Sequence, residues 1–221
     1  MSSVGTRLDN SSMCIAVSLR LGAPLCTPHV CICGAAVDSS GVHGLSCRKS
    51  AGRGARHSTI NSIVKAALTL AEIPSCLEPR GLARDDGKRP DGVTSMPWKN
   101  GHCLIWDVTC PDTLAASYLN KAVSGPGVVA TEAETRKRHK YSTVDDSTYI
   151  FQPIAIETLG AFGSSAIDFF NDLGRRMRAV SQDTRAGTFL MQRLSVAMQR
   201  GNAACILGTI ADDDVSTDFF V

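Results

Sequence analysis

The sequence predicts a mixed α/β fold, and three observations carry that prediction. Apolar residues recur at helical spacing after residue 57, which predicts a helix over 57–72 that ends before Pro74. Asn100-Gly101 separates two apolar runs, as in a β-hairpin. The apolar run over 149–158 follows a polar helical segment and predicts a further strand. With a short strand before the hairpin, the predicted order is helix, strand, strand, strand, helix, strand.

The other elements follow from local patterns. The Gly-, Ala- and Val-rich segment 122–130 is expected to be flexible, and Pro153 inside the last strand indicates a sheet edge or a bulge. In chain order, the elements are the first helix, a short strand at 75–78, hairpin strands near 90–96 and 102–109, a polar helix over about 130–144, the strand at 149–158, and two closing helices near 164–181 and 185–207.

Length and composition fit one domain with small additions. The chain has 221 residues, of which 43% are hydrophobic and 5% aromatic, so the core must consist largely of aliphatic side chains. The predicted organisation is an N-terminal segment (1–25), a zinc-knuckle-like basic region (26–56), the mixed α/β core (57–160), a C-terminal helical pair (161–208) and an acidic, disordered tail (209–221).

Charge is nearly balanced overall, at +2, but unevenly distributed. Basic residues cluster at 48–57 and 136–140, while the C-terminus is acidic, which fits either an anionic ligand or solvated surfaces. No apolar run approaches the ~20 residues that a bilayer requires. Because Arg20 interrupts the apolar stretch 13–25, we do not expect a signal peptide, and the nine cysteines are then expected to be thiols or metal ligands.

Four closely spaced cysteine and histidine residues predict a zinc site. Cys31, Cys33, His43 and Cys47 form the pattern C-x-C-x9-H-x3-C, and Cys₃His is a common structural zinc set. Nearby glycines allow the backbone to wrap closely around an ion. Cys26-x2-His29 offers two spare ligands, and free loop thiols are the alternative.

The basic segment that follows leads into the predicted first helix. Helix N-termini and glycine-rich backbone favour phosphate, and arginines add charge-assisted hydrogen bonds. His57 and Asn61 are four residues apart and share a helix face, although His57 is equally consistent with an ordinary first-turn position. The basic residues of this segment are Arg48, Lys49, Arg53 and Arg56.

Two aspartates lie in or beside the hairpin strands. Asp91 follows Arg89-Pro90, and Asp107 interrupts an otherwise apolar strand, where an unpaired charge is costly. If the hairpin brings them together, their repulsion favours a divalent cation such as Mg²⁺. The alternative places Asp91 in a simple turn and Asp107 at an exposed strand end.

A cation is expected near such a pair, to stabilise charge that develops on a phosphate. Thr109 stands two residues after Asp107, so the nearest candidates are Lys137 and Lys140 on the polar helix. Lys137 and Tyr141 share a helix face at a spacing of four. The alternative is a solvated basic helix.

Taken together, these motifs resemble a known family. The chain looks like the restriction-like endonuclease domain of the PD-(D/E)xK superfamily that lies C-terminal to the reverse transcriptase of site-specific non-LTR retrotransposons, and like related retroelement-derived invertebrate proteins. The resemblance spans Cys31 to Tyr141 and rests on the CCHC knuckle, Arg56-His57 with Asn61, Arg89-Pro90-Asp91, and Asp107. The family has a restriction-endonuclease-like αβββαβ core, here with an N-terminal zinc knuckle and two C-terminal helices. Thr109 occupies the position of the usual lysine.

The resemblance implies a metal-dependent DNA endonuclease of retroelement origin. Asp91 and Asp107 would hold Mg²⁺ or Mn²⁺, with Glu78 and the carbonyl of Val108 as further ligands. Lys137 or Lys140 would supply the positive charge, oriented by Tyr141. The residues expected to contact nucleic acid are Arg48, Lys49, Arg53, Arg56, His57, Asn61 and Arg89.

The implied partners are DNA, with RNA as a second candidate, and a reverse transcriptase in the same polyprotein, but no membrane. The implied location is nuclear for a eukaryotic element and otherwise intracellular. Two rival hypotheses remain at this point. One is a catalytically inactive, zinc-containing nucleic-acid-binding module with the same fold, and the other is a decayed retroelement fragment.

Overall fold

The computed structural model describes residues 5–82, 89–142 and 147–210. Within these ranges the chain forms both helices and strands, so the predicted mixed α/β class is confirmed. In chain order they are α1 (Asn10–Leu21), β1 (His29–Val30), β2 (Ala36–Val37), α2 (His43–Ser46), α3 (Gly52–Leu70), β3 (Ser75–Leu77), β4 (Gly92–Lys99), β5 (His102–Thr109), α4 (Ala116–Ala122), α5 (Val128–Lys140), β6 (Tyr149–Ala155), α6 (Ser164–Ser181) and α7 (Ala186–Leu207). Among the described helices, none is both long and apolar enough to span a membrane.

The main sheet has four strands in the order β3-β4-β5-β6. β3 and β4 pair in antiparallel fashion, as do β4 and β5, whereas β5 and β6 are parallel. A parallel pair requires a crossover connection, and α5 is the main element of that connection. Pro153 lies in β6, the edge strand of this sheet, where a missing backbone N–H is tolerated.

The hairpin between β4 and β5 turns at the predicted Asn-Gly pair. Asn100 has φ 51° and Gly101 has φ 82°, and only a turn that accepts two positive φ values fits here. Pro97 lies at a register shift in β4, which fits the confinement of proline to bulges and edges. The turn fixes how β4 and β5 align, and therefore how Asp91 approaches the end of β5.

Helices cover both faces of the main sheet. On one face, α3, α6 and α7 pack against Leu104, Trp106 and Val108 of β5 in the largest hydrophobic core. On the other face, Ala130 and Ala133 of α5 pack on β6. Side chains alternate along a strand, so Asp107 points away from its neighbours in the core and towards α5.

α3 begins five residues earlier than the sequence predicts, at Gly52. Arg53 and Arg56 therefore belong to the helix and not to a loop before it. An added Cβ at Gly52 would lie 2.4 Å from the backbone nitrogen of Cys205, so only glycine allows α3 to start against α7. The reason for the early start is this long-range packing, which no local pattern reveals.

The segment expected to be flexible contains parts of two helices. α4 ends at Ala122, and α5 starts at Val128 after Gly127, whose φ is 81°. α5 ends at Lys140 and not near 144. The last residues of that prediction, and nearly all of the predicted acidic tail (209–221), lie outside the described residues.

The knuckle region packs on α1 and the end of α7. Ile15, Leu45 and Ile206 belong to a second hydrophobic core that also contains Cys31 and Cys47. An added Cβ at Gly44 would lie 2.8 Å from the carbonyl oxygen of Cys205, so α2 docks closely on α7. The knuckle is thereby joined to the same helix that covers the main sheet.

Candidate active site and zinc-binding cluster

The four predicted zinc ligands converge in space. The ligand atoms of Cys31, Cys33, His43 and Cys47 all lie within 4.8 Å of one another. The Sγ atoms of Cys31 and Cys47 are 3.7 Å apart, and Cys33 Sγ is 3.2 Å from His43 Nε2. A tetrahedron with Zn–S bonds of about 2.3 Å has S–S edges of about 3.8 Å. The cluster could therefore hold a structural metal such as zinc.

Local backbone geometry forms this cluster. The N–H of Gly34 donates to Cys31 O at 2.7 Å in the turn between β1 and β2, while His43 starts α2 and Cys47 caps it. The N–H of Ala35 favours the thiolate of Cys33 and lowers the pKa of that residue to about 7. Burial raises the pKa of the Cys31 thiol to about 11.

The two spare ligands have other partners. Cys26 is buried, and its thiol lies 3.4 Å from Asp38 O. His29 contacts Thr27 O through Nδ1 and Thr209 Oγ1 through Nε2, at 2.9 and 2.8 Å. Neither residue belongs to the four-ligand cluster.

Asp91 sits where β4 begins, beside the end of β5. Its N–H donates to Trp106 O at 2.9 Å, and its Oδ2 accepts the N–H of Val108 at 2.6 Å. The same Oδ2 is 3.0 Å from His57 Nε2. Burial opposes ionisation of Asp91, but the hydrogen bonds and charge of His57, with the N–H of Val108, outweigh it and lower the pKa of Asp91.

His57 reaches this point from the first turns of α3. Besides Asp91, its Nε2 contacts Val108 O at 3.2 Å. The hydrogen bond with Asp91 raises the pKa of His57 against the opposing effect of burial, and the field of Asp107 adds to the rise. The surroundings of His57 therefore favour the charged imidazolium over the neutral imidazole.

Asn61, one turn further along α3, positions this group. The indole N–H of Trp106 donates to Asn61 Oδ1 at 2.9 Å, which leaves the amide NH₂ directed at the His57 ring, 3.4 Å from Nδ1. Asn61 is 5% exposed. Its contacts are those of a residue that orients its neighbours.

Asp107 is a buried carboxylate, 4% exposed, on the α5 face of the sheet. Lys137 Nζ donates to its Oδ1, and the hydroxyl of Tyr141 lies 2.6 Å from its Oδ2. Removing a carboxylate from water costs several kcal/mol unless it is paired and hydrogen-bonded, and these two partners provide that pairing. Because Lys137 and Tyr141 are four residues apart on α5, both side chains reach the Asp107 carboxylate.

Lys140 and Tyr141 have positions that refine the sequence prediction. The Lys140 ammonium lies 5.3 Å from the centre of the Tyr141 ring, whereas Lys137 contacts Asp107 directly. Tyr141 thus contacts the Asp107 carboxylate through its hydroxyl and the Lys140 ammonium through its ring, and the expectation that it orients the catalytic lysine stays a prediction. Its hydroxyl also lies 3.1 Å from Arg89 O, which links the end of α5 to the segment before Asp91.

A cavity of about 300 Å³ opens beside His57 and Asp91, and Asn61 and Glu78 also line it. Glu78 donates its N–H to Asp91 O at 2.8 Å, but its carboxylate pairs with Arg89. Glu78 is thus close to the expected metal ligands, with its charge already engaged. The cavity gives a ligand access to Asp91.

The predicted nucleic-acid contacts divide into exposed and buried residues. Arg48, Lys49 and Arg53 are exposed, around the knuckle and the start of α3. Arg56 is only 4% exposed, and its Nη1 donates to Asn202 Oδ1 at 2.6 Å. The guanidinium of Arg56 is therefore held between α3 and α7, and the expected contact of Arg56 with nucleic acid stays a prediction.

Comparisons with known families and curated proteins give no match for this chain. No protein-family model matches the chain, and no curated protein is significantly similar to it. Any function for this site must therefore be argued from the arrangement of its residues.

Two groups that contribute to the site were not predicted from the sequence. Trp106 fixes Asn61, and the backbone N–H of Val108 binds Asp91. The alternation of β5 contained a signal for Trp106, since a residue next to Asp107 must face the opposite side of the sheet. The Val108 contact depends on how β4 meets β5 and has no sequence signal.

Proposed function

We propose that the chain is a metal-dependent DNA endonuclease domain of retroelement origin that hydrolyses phosphodiester bonds. The observation that carries this proposal is that Asp91, immediately before β4, and Asp107, in the neighbouring strand β5, are each paired with a basic side chain from a different helix. Asp107 is buried, Asp91 is partly buried, and His57 and Asp91 line an open cavity. Titratable groups with shifted pKa values in a cavity are typical of functional sites.

The oxygen donors suit a hard divalent cation. Asp91 Oδ2, Asp107 and Val108 O each face a positively polarised group, namely His57 or Lys137 with Tyr141. Carboxylate and carbonyl oxygens are the ligands that Mg²⁺ and Mn²⁺ take. A cation bound there would lower the pKa of a bound water and neutralise charge on the phosphate.

The remaining residues have roles that their contacts support. Lys137 places a positive charge at Asp107, where it would stabilise negative charge that develops on a phosphate. Tyr141 holds Asp107 in place, and Asn61 holds His57. Apart from the short helix α4 between β5 and α5, the order α3, β3, β4, β5, α5, β6 is the one expected of the αβββαβ core of the PD-(D/E)xK superfamily, and it supports the proposed membership.

The zinc cluster completes the proposal as a structural element. Four protein ligands leave no open coordination position, so the ion would stabilise the knuckle and not take part in hydrolysis. Arg48, Lys49 and Arg53 then present positive charge beside it, suited to the DNA backbone. A reverse transcriptase in the same polyprotein and a nuclear location belong to this proposal.

One observation favours a second candidate, a catalytically inactive nucleic-acid-binding module. Lys137 is ion-paired with Asp107, and His57 lies 3.0 Å from Asp91 with a raised pKa, so each aspartate has a basic partner from the protein itself. In that case the same residues would serve only to stabilise the fold.

A plasmid-nicking assay with Mg²⁺ or Mn²⁺ separates the two candidates. We expect nicking by the wild type and by Asp168→Asn, an exposed control on α6, and a loss of at least about 10³-fold in Asp91→Asn and Asp107→Asn. Zinc content and thermal unfolding establish that the variants are folded. A wild type that retards DNA on a gel without nicking it would favour the binding module.

A further inference from the structure

A second concave surface lies between α3 and α7. It is a groove of about 450 Å³ whose polar lining residues are Arg56, Thr59, Ser62, Arg193 and Arg200. The remaining lining residues are small or apolar, and none of the groove's described lining is acidic. The groove is therefore a positively charged channel.

The charge of this groove arises from the sequences of the two helices. Neither α3 nor α7 contains an aspartate or a glutamate, over 19 and 22 residues respectively. Arg200 donates to the carbonyl of Arg7. The N–H of Ser12 chiefly lowers the pKa of Asp9, and the charge of Arg200 adds to that effect, so Arg200 has an acidic neighbour that does not line the groove. Arg193 takes part in no ion pair among the described residues.

Arg56 adds a buried positive charge to the wall of the groove. Its Nη1 is bonded to Asn202, but its Nε is buried and has no hydrogen-bond partner among the described residues. Asp112 lies near enough for Arg56 to favour its ionised form, although burial dominates and raises the pKa of Asp112. Asp112 does not line the groove. Arg56 therefore contributes positive charge from beneath the surface of the groove.

The groove adjoins the candidate active site. Ser62 lines both the groove and the cavity that contains His57 and Asp91. The two concave surfaces therefore meet across the exposed face of α3, which also carries Ser58 and Thr59. A chain of phosphates that enters one surface can continue into the other.

We propose that the groove between α3 and α7 binds the sugar-phosphate backbone of the DNA next to the cleavage site, an inference that rests on the proposed function. Arg193 and Arg200 make charge-assisted hydrogen bonds with phosphate oxygens, and Arg56 contributes its field from below. The contact positions the strand and carries no base specificity.

The test measures how binding of a fluorescein-labelled DNA duplex depends on salt, by fluorescence anisotropy without Mg²⁺ or Mn²⁺. For Arg193→Gln/Arg200→Gln we expect affinity to fall by about tenfold or more, and the slope of log K against log [NaCl] to shrink by about 2, one for each lost phosphate contact. Arg193→Lys/Arg200→Lys should keep most of the slope.

The matched control is Arg178→Gln/Arg185→Gln, which removes two exposed arginines that do not line the groove. It should bind as the wild type does. Because Arg200 contacts the N-terminal segment, Arg193→Gln alone is a second test variant, with an expected change in slope of about 1.

The outcomes separate this inference from the proposed function. A wild type that nicks plasmid while the groove variants bind like the control overturns the groove and leaves the nuclease standing. A wild type that binds no DNA overturns both. A groove variant that binds weakly with an unchanged slope also contradicts the inference, because lost phosphate contacts must change the salt dependence.

Discussion

The imidazole Nε2 of His57 lies 3.0 Å from Asp91 Oδ2 and 3.2 Å from the carbonyl oxygen of Val108. One nitrogen atom thus contacts two of the oxygens that we assign to a divalent cation. His57 comes from α3, Asp91 precedes β4, and Val108 lies in β5, so three separate segments meet at this point. This meeting point is the centre of the proposed site.

The contact between His57 and Asp91 predicts a raised pKa for His57. In protein that has zinc in the cysteine-histidine cluster and no divalent cation at Asp91, we expect NMR to give His57 a pKa above its ordinary value of 6.5. Asp91→Asn removes the charged partner, so the pKa should fall. Asp168→Asn, an exposed control on α6, should leave the pKa of His57 unchanged. An unchanged His57 titration in the variant would show that Asp91 is not its partner.

The same pair predicts a pH window for stability. The raised pKa of His57 contributes stability that is present below 6.5 and lost as pH rises through the raised value. The lowered pKa of Asp91 contributes stability that is present above 3.8 and lost as pH falls through the lowered value. The difference in unfolding free energy between wild type and Asp91→Asn should therefore be larger near about pH 5.5 than near about pH 8.5. Urea unfolding at both values measures it.

Loss of one cluster ligand should remove a structural ion. We expect the wild type to contain one zinc per chain, and Cys33→Ser to lose it and unfold at lower temperature, because metal binding free energy, about 10–16 kcal/mol in small zinc modules, contributes to folding. Elemental analysis and thermal unfolding measure the two effects. Cys14→Ser, at an exposed cysteine of α1, is the control. Equal zinc content in both variants would exclude the cluster.

Alanine substitutions of Lys137 and Lys140 should lower the nicking rate by different factors. Lys137 contacts Asp107 whereas Lys140 lies over the Tyr141 ring. Lys137→Ala should lower the nicking rate by about 10²–10³-fold, and Lys140→Ala by less than about tenfold. Single-turnover rates at saturating protein separate this effect from DNA binding. Equal losses in the two variants would contradict the assignment to Lys137.

Substitutions of Arg56 and Arg53 should differ in their effect on the free energy of unfolding. Arg56→Leu leaves Asn202 Oδ1 without its 2.6 Å hydrogen bond, so the free energy of unfolding should fall by about 1–3 kcal/mol. Arg53 is exposed, and Arg53→Gln should change it by less than about 0.5 kcal/mol. Chemical denaturation compares them. A stable Arg56→Leu protein would mean that this buried hydrogen bond contributes little.

Local chemistry made much of this fold predictable. The turn at Asn100-Gly101 was found because few other residue pairs accept two positive φ values. α6, predicted at 164–181, occupies those residues, because a continuous apolar face marks it. The clustering of Cys31, Cys33, His43 and Cys47 was predictable because the four residues lie within 17 positions of the chain, so a short loop brings them together.

Long-range contacts account for what the sequence did not reveal. The burial of Arg56 had no local sequence signal, because its partner, Asn202, is 146 residues away. α4 has no buried residues, so no apolar periodicity marks it. The groove between α3 and α7 had a signal that was missed, namely two long helices that contain arginines and no acids.

If Asp91 and Asp107 share one divalent cation, as we propose, the most direct test is Mn²⁺ binding to zinc-loaded protein, followed by electron paramagnetic resonance. We expect one bound Mn²⁺ in the wild type and in the exposed control Asp168→Asn. We also expect Asp91→Asn, Asp107→Asn and the double variant to weaken binding by similar amounts, because each removes the same site. Mn²⁺ binding that is absent from the wild type, or that survives in either single variant, would contradict the shared site.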